Sequence, residues 1–574
     1  MIDLVKKEEL NKEMERINQL TKLFSMARFG LVIGAIIFFI CYLSLEQNSL
    51  YLGISIAFII LLAAIIIFTN PYYHKQKLLA NMELVYKKHQ NRRNLSYQSF
   101  TPDGREFICY EDYKELDLDI LGPKSLFQYL CIAKSQEGRR KLARQLTDPV
   151  KKPEAFTNCV HTLTSHPLSL NLEASISAIS NEAKDCDNEE LLGLMKKKIT
   201  IPPLGIFLMA ASYLVLIGLL CFFLLKGIDP YYVLFFIPLN FIIARKFTNN
   251  EVFSLPATKY ADLLSAYTQM AEDVLAMKIE DPYFKELQTI LEEELPSIKQ
   301  YKNMFEMLSY RRNLILSLLG NGILYMDYWI ALRFNLHKAK VQSIERSLDA
   351  LSELELMMSL AVIGMDNSTY SIPVLGDEIH IEEGYHPLVR NCIANDFEFK
   401  GGIILTGSNM SGKTTFMRML GLNQILANAG GIVCAKSFQT RGYAVVTSLR
   451  ANDMLQEGIS TFYAEINRMK RIMQETSSRP TLVLIDEIFK GTNAKDRIYA
   501  SKEIIQKLLT LDTSFIITTH DFELCDAAGI QNYHFDEEYI EDKISFDYKI
   551  KNGICHKTNA LYLLKLAGVL EPKE

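Results

Sequence analysis

The chain has 574 residues, enough for several domains, with 49% hydrophobic residues and a formal net charge of −5. That balance excludes a chain-wide basic footprint for nucleic acid, so any such contact has to be local. Ten cysteines without a C-x-x-C spacing argue against a disulfide framework or a zinc site, as suits a reducing compartment.

Two nearly uncharged apolar runs come first, Phe29 to Leu45 and Leu50 to Thr69, separated by a polar turn with Glu46, Gln47 and Asn48. About 20 residues rising about 1.5 Å each cross a hydrocarbon core of about 30 Å, so the pair reads as a transmembrane hairpin. A third run, Leu204 to Leu225, is long enough to span. A fourth, Tyr231 to Ala244, is shorter, contains Pro238 and follows the third after the turn Lys226 to Pro230. A buried core helix is the alternative for each run, above all the fourth. The second span, directly after the first, argues against a cleaved signal peptide.

Basic residues set the orientation. Lys6, Lys7, Arg16, Lys22 and Arg28 precede the first span. Lys75, Lys77, Lys87, Lys88, Arg92 and Arg93 follow the second. Lys196, Lys197 and Lys198 precede the third, and Arg245 and Lys246 follow the fourth. Both short turns then face outward and the soluble mass lies in the cytoplasm, with the chain in the inner (cytoplasmic) membrane. These charges read as snorkelling anchors, the alternative being contact with anionic lipid heads or nucleic acid.

From 247 to 375 the spacing predicts long helices. Asp262 to Tyr267 and Ala339 to Leu348 repeat apolar residues every three to four positions. Pro373 marks a boundary before the next region. There Gly402-Ile403-Ile404-Leu405 reads as a buried parallel strand leading into Gly407-Ser408-Asn409-Met410-Ser411-Gly412-Lys413-Thr414, and a helical pattern from Thr415 leads out. Strand, glycine loop and helix in that order are the context of a phosphate cradle, where backbone N–H groups and a helix N-terminus converge on one anion. Lys413 would reach the β- and γ-phosphates, and Thr414 would offer its hydroxyl to Mg²⁺.

Downstream, Thr481 to Ile485 is a second buried strand, ending in Asp486 and Glu487. Asp486 suits Mg²⁺ binding, and Glu487 suits orienting and deprotonating a water. A third strand, Ser514 to Thr519, ends at His520, which either hydrogen-bonds a γ-phosphate or caps the next helix. Between them, Ser460-Thr461 precedes a helical run and reads first as an N-cap.

Several segments resemble the MutS family, the DNA mismatch-repair ATPases with an ABC-type nucleotide domain. Thr406 to Arg418 is similar to its phosphate loop, including the Asn409-Met410 pair; Ser460-Thr461-Phe462 with Glu465 resembles its signature segment. Asp486-Glu487-Ile488 with Gly491-Thr492, and Thr519-His520 with Phe522-Glu523-Leu524, resemble its acidic strand and histidine switch. Glu383 to Val389 is similar to the segment before the ATPase domain, where the resemblance implies that His386 lies near the adenine; a packed linker histidine is the alternative. The close likeness covers about 380 to 570, with a fainter helical one over about 115 to 200 and 250 to 375.

The resemblance implies ATP and Mg²⁺ as ligands. It assigns Glu487, His520 and Lys413 to catalysis, and Thr414 and Asp486 to the metal. Gly407 to Thr415, His386 and Ser460 would bind nucleotide, with Ser460 serving the site of a second subunit in a homodimer. It departs from the family in having no mismatch-reading domain with a Phe-x-Glu wedge, in Glu457, and in Phe489-Lys490 where Gly-Arg is usual. The family's C-terminal dimerising helices are also expected to be missing beyond Leu566 to Val569. The expected fold is an α/β ABC-type P-loop ATPase domain preceded by an all-α core and lever region with two transmembrane helical hairpins. The divisions are 1–28 (cytoplasmic helix), 29–69 (hairpin), 70–203 (helical core), 204–244 (hairpin), 245–375 (lever) and 376–574 (ATPase). Three tasks compete: handling DNA, acting mechanically on a protein partner without DNA, and transport.

Overall fold

The first run, as far as Ser44, lies within α1 (Leu4–Ser44) and the second within α2 (Ser49–Arg93), which continues through Pro71 well past Thr69. The computed structural model describes the chain except residues 1–3, 45–48, 111, 180–185, 227–230, 249–250, 255–256, 409, 451–460, 490–491, 541–542 and 556–574. The two helices run antiparallel. Ser55 Oγ donates to the carbonyl of Ala35 at 2.9 Å, Gln76 to Asn18 at 2.6 Å and Tyr73 to the carbonyl of Thr21 at 3.2 Å. Beyond the apolar segments they form a stalk, whose seam buries Leu10, Ile17, Leu79 and Tyr86. Only 6% of the most apolar window of each helix is buried, so neither is the core helix of a soluble domain.

Short helices follow: α3 (Tyr113–Asp117), α4 (Leu126–Leu130), α5 (Gln136–Thr147), α6 (Glu154–Ser165), α7 (Ser169–Ser177) and α8 (Asn188–Lys196). The third and fourth apolar runs form α9 (Pro203–Lys226) and α10 (Tyr231–Phe247), packed on each other. Among the described residues, only α1 and α2 are long and apolar enough to cross a membrane; α9 offers the shorter stretch Pro203–Leu219. Four spans, the expectation from the runs alone, are therefore supported for the first pair only.

After α11 (Glu251–Ser254) come α12 (Ala257–Ala276), α13 (Pro282–Ser309), α14 (Leu314–Leu324), α15 (Met326–His337) and α16 (Val341–Asp366). α16 is buried on every side from Ala350 to Met365, apolar on most faces as a central strut must be. Its buried Glu355 accepts hydrogen bonds from the Lys134 and Ser135 N–H groups, at 2.8 and 3.1 Å. Those contacts bind it to the loop that opens α5.

The stalk ends on this strut. In the last turn of α2, the His89 ring lies 2.8 Å from Glu173 of α7 and 3.0 Å from Asp366, the last residue of α16. Arg93 donates to Asp366 at 3.1 Å, and Arg92 Nε donates to the carbonyl of Tyr129 at 2.9 Å. Arg92, read from sequence as a membrane-flanking charge, is thus engaged inside the protein, while the exposed Arg93 pairs with the buried Asp366.

The strut leads into the α/β region through β1 (Val374–Leu375), β2 (Ile379–Gly384) and β3 (Asn395–Phe399). With β5 (Ser437–Thr440) these form a four-stranded sheet in the order β1-β5-β2-β3. The main sheet holds β4 (Gly402–Thr406), β6 (Ala444–Ser448), β7 (Thr481–Asp486), β8 (Thr513–Thr518), β9 (Ile530–Ile540) and β10 (Lys543–Asn552), in the order β10-β9-β4-β8-β7-β6. All its pairs are parallel except β9–β10. The helices α17 (Lys413–Asn428), α18 (Thr461–Thr476) and α19 (Ala494–Leu509) connect its strands. β4, β7 and β8 are apolar without alternation because a parallel sheet between helices is buried on both faces.

His89 supplies a test of the stalk junction. Burial alone would lower its pKa, but Glu173 and Asp366 outweigh it and raise it, while the same contact holds Glu173 below the usual carboxylate range. Its contribution to stability is therefore complete below the free imidazole value of about 6.5 and is lost as pH rises through the raised value; the share of Glu173 is lost only in strong acid. His89→Ala takes the shared partner from two buried carboxylates, leaving Arg92 beside Glu173 and Arg93 on Asp366, and is expected to cost about 3 kcal/mol, the low end for breaking a buried pair, in denaturation of the solubilised protein. A variant as stable as the parent at neutral pH would contradict this.

Candidate active site

The order of the main sheet brings three strand ends to one edge. In the parallel register Leu405 of β4 pairs with Thr518 of β8, and Thr518 pairs with Asp486 of β7. The glycine loop leaving β4, the acidic pair leaving β7 and the histidine after β8 therefore share the carboxyl edge, where open α/β sheets bind ligands.

The loop between β4 and α17 turns on glycines. Gly407 has φ +144°, and a Cβ there would lie 2.8 Å from the carbonyl oxygen of Phe535. Gly412 has φ +106° and ends the loop under the ring of Tyr548. Met410, with φ +71°, adopts the left-handed region although it is not glycine, and its side chain stands exposed. Ser408 is buried and donates its hydroxyl to the buried Glu537 of β9. The buried Ser411 Oγ has no hydrogen-bond partner among the described residues, an orphaned group that a ligand would satisfy. Lys413 Nζ donates to the carbonyls of Gly407 and Ser408, 2.7 Å each, which holds the ammonium inside the loop. Burial lowers its pKa, and Asp486 and Glu487 oppose that shift.

Across the edge, Thr414 Oγ1 donates to Asp486 Oδ2 at 3.1 Å, while Thr518 Oγ1 donates to the other oxygen, Oδ1, at 2.6 Å. The Thr518 hydroxyl also accepts the backbone N–H of Glu487 at 3.2 Å. Glu487 sits at φ +62°, a conformation costly for its side chain and the kind of strain that gathers at functional sites. Its carboxylate lies 3.1 Å from Nε2 of His520, both groups partly open to solvent.

These groups line a cavity of about 560 Å³, within the range of small-molecule sites. Gly384, His386, Thr415 and Tyr548 close its other walls. His386 is buried; burial, helped by Arg418, pushes its imidazole down to about 4, so it is neutral in ordinary buffer. Its Nδ1 accepts the N–H of Leu388 at 3.1 Å, which leaves the ring proton on Nε2. A larger groove of about 1080 Å³ beside α13 and α16, lined by Lys152, Tyr283 and Glu353, has no glycine loop.

The structure thus brings His386, Gly407, Ser408, Met410 to Thr415, Asp486, Glu487 and His520 to one place. Asn409 and Ser460 lie outside the described residues. Sequence reading missed the supporting contacts. Thr518 links the Asp486 carboxylate to the backbone N–H of Glu487 through one hydroxyl. Arg497 of α19 grips Asp521, just after His520, with two bonds of 2.8 Å. On the far side, buried Asp117 of α3 accepts from Thr447 Oγ1 at 2.8 Å, from the N–H of Leu449 at 2.9 Å and from Arg468 of α18. Asp119 in turn takes Arg418 of α17 at 3.2 Å and Arg450 at 2.7 Å. The helix that follows the Ser460 segment is therefore pinned to the helical region. A threonine at a strand end and an aspartate in a short helix carry no local sequence signal; their partners lie up to several hundred residues away.

Comparison with known proteins bears on the same segment. MutS domain V matches residues 403–573. The chain is 30% identical over 271 residues to the DNA mismatch repair protein MutS of Clostridium kluyveri, an alignment covering 43% of this chain and 31% of that protein. It is 28% identical over 341 residues to MutS protein homolog 4 of Mus musculus, covering 55% of this chain and 34% of the relative. The MutS of Aquifex pyrophilus is 28% identical over 261 residues, 42% of this chain and 30% of its own length. The chain spans about a third of the length of these curated relatives. The glycine loop, the acidic strand end and His520 all fall within the matched segment, which supports membership of the MutS family.

Proposed function

We propose that the chain is a membrane-anchored MutS-like ATPase that couples ATP binding and hydrolysis to closure of a homodimer and acts on DNA. The observation that carries the ATPase reading is the alignment of Thr414, Asp486 and Thr518, with Glu487 and His520 beside them at the mouth of the glycine loop. Thr414 and Asp486 would hold Mg²⁺, which when bound neutralises charge on the phosphates. The Ser411 hydroxyl and the N–H groups of the loop would bind phosphate oxygens, with Lys413 adding a buried positive charge. Glu487 orients and deprotonates the attacking water, and His520 holds the carboxylate in place. His386, neutral with a free Nε2–H, would sit against the base. A second subunit would complete each site with its own Ser460 segment.

Two helices without a buried apolar face support anchoring through the first hairpin, and the basic residues around them favour a cytoplasmic soluble mass at the inner membrane. Relatives named for DNA mismatch repair support the DNA reading. A net charge of −5 favours the second reading, a mechanical ATPase that acts on a protein partner without DNA.

Glu487→Gln is expected to keep ATP binding and to lower turnover at least about a hundredfold, the range of general-base loss. Unchanged phosphate release from the purified variant rejects that role. Thr518→Val removes the hydroxyl that joins the Asp486 carboxylate to the backbone of Glu487 and should lower turnover about 10- to 100-fold, as loss of a contact supporting a metal ligand does, and raise the Mg²⁺ requirement. An unaltered Mg²⁺ titration would show that the hydroxyl only caps the strand. Detergent-solubilised protein should bind DNA with steep salt dependence and hydrolyse ATP faster with branched or mismatched duplex. Salt-independent or absent binding, with one protein partner co-purifying, decides for the second reading.

A further inference from the structure

The described surface carries an apolar helix that the four runs do not include. α14 (Leu314–Leu324) has no charged residue, and none occurs from Asn313 to Met326. It packs on α10, and its direction is opposite. Arg245 near the end of α10 donates to the carbonyl of Arg311 at 3.1 Å, whereas Asn240, further back, donates to the carbonyl of Gly322 at 3.0 Å. At that second contact the backbones nearly touch: a Cβ on Gly322 would stand 2.6 Å from the carbonyl oxygen of Ile237. A small residue at a close crossing, with a buried amide bonded across it, is how helices pack where lipid removes the hydrophobic drive.

The chain then turns at Tyr325, in the left-handed region with φ +48°, and returns as α15. The Tyr325 hydroxyl bonds Ser212 of α9. At the base of the loop Arg311 lies 3.0 Å from the fully buried Asp327, which also receives Thr248 Oγ1 at 3.3 Å. Polar anchoring is thus confined to one end of the α14 segment and to its inner side. Its outer side is bare: Leu314 is 71% exposed and Leu324 60%, with Leu316, Leu319 and Ile323 between them also exposed. A soluble domain would not leave such a continuous face to water. Eleven residues rise only about 16 Å, about half a hydrocarbon core.

We propose that α14 is a re-entrant membrane segment: it enters the bilayer beside α10 from the cytoplasmic side, turns at Tyr325 and leaves through α15. Lipid acyl chains are the occupant of its exposed face. α9, which the Tyr325 hydroxyl bonds through Ser212, likewise leaves Leu204, Phe207 and Leu214 exposed, and Arg312 stands just before the entry. Tyr328 and the half-exposed Trp329, one turn past Tyr325, are residue types suited to the outer part of a bilayer. The assignment rests on the anchoring proposed above through the first hairpin, and it adds that α9 and α10, on which α14 packs, lie in the bilayer as well.

Trp329 is the only tryptophan of the chain, so the unaltered protein carries its own probe. The full-length protein is reconstituted in phosphatidylcholine–phosphatidylglycerol vesicles and washed with alkaline carbonate. Retention with a blue-shifted Trp329 emission that loses intensity to lipids brominated near the headgroup, more than to lipids brominated near the chain end, supports the proposal. In a Trp329→Phe background, Leu324→Trp should reverse that order, because it adjoins the turn at Tyr325, the deepest point of the segment; both sites are exposed, and ATP binding at the parent level shows that the variant is folded. Retained protein whose tryptophans ignore bromine and are quenched by aqueous iodide overturns the re-entrant segment and leaves the anchor standing. Shielding from both quenchers assigns the face to a protein contact, such as a second copy, and also overturns it. Protein that washes off the vesicles removes the anchor and the segment together.

Discussion

The in-register parallel pairing of β4 with β8, and of β8 with β7, places Leu405 beside Thr518 and Thr518 beside Asp486. Every polar group of the site inherits its position from that ladder. One hydroxyl at the end of β8 reaches both acidic residues: it donates to the carboxylate of Asp486 and accepts from the backbone of Glu487. A register shift of one residue would turn Thr518 to the opposite face of the sheet and remove both bonds. The left-handed backbone at Glu487 is affordable only because neighbouring contacts hold it, which ties the geometry of the acid to the packing of the strands beneath it.

The helical region is joined to that sheet at two buried charge clusters rather than by a flexible linker. His89 and Arg93 of the stalk end on Asp366, the last residue of the buried strut α16, a few residues before β1. Asp117 binds the loop after β6 and Arg468 of α18, while Asp119 holds Arg418 of α17. Such pairs are poor sources of net stability but strong determinants of geometry, because separating either partner leaves a charge buried alone. Movement of α17 or α18 around a bound nucleotide has a direct route into the helices, and from them to the stalk.

Two kinds of apolar surface coexist in the chain. α16 turns its apolar residues inward on all sides. α1, α2, α9 and α14 turn many of theirs outward while keeping polar contacts between helices, such as Ser55 to Ala35 and Asn240 to Gly322. Composition alone does not separate these cases, since α16 and α14 are both rich in leucine. The distinction is which neighbours surround the helix.

By itself the sequence determined what local pattern controls. The glycine loop and its flanking strand and helix, the two strands ending at Asp486 and before His520, the long helices after residue 247 and the apolar character of the first hairpin are all set by residues adjacent in the chain. Glycine supplies the positive φ at Gly407 and Gly412, and unbroken apolar runs specify strands buried on both faces. Only the tertiary structure decided that Thr518 joins the Asp486 carboxylate to the backbone of Glu487, that Arg92 serves a buried junction instead of a lipid surface, and that α14 lies outside the helical core. Those outcomes rest on partners distant in sequence, Asp117 to Arg468 or His89 to Asp366, and no periodicity within a segment encodes which remote surface it will meet.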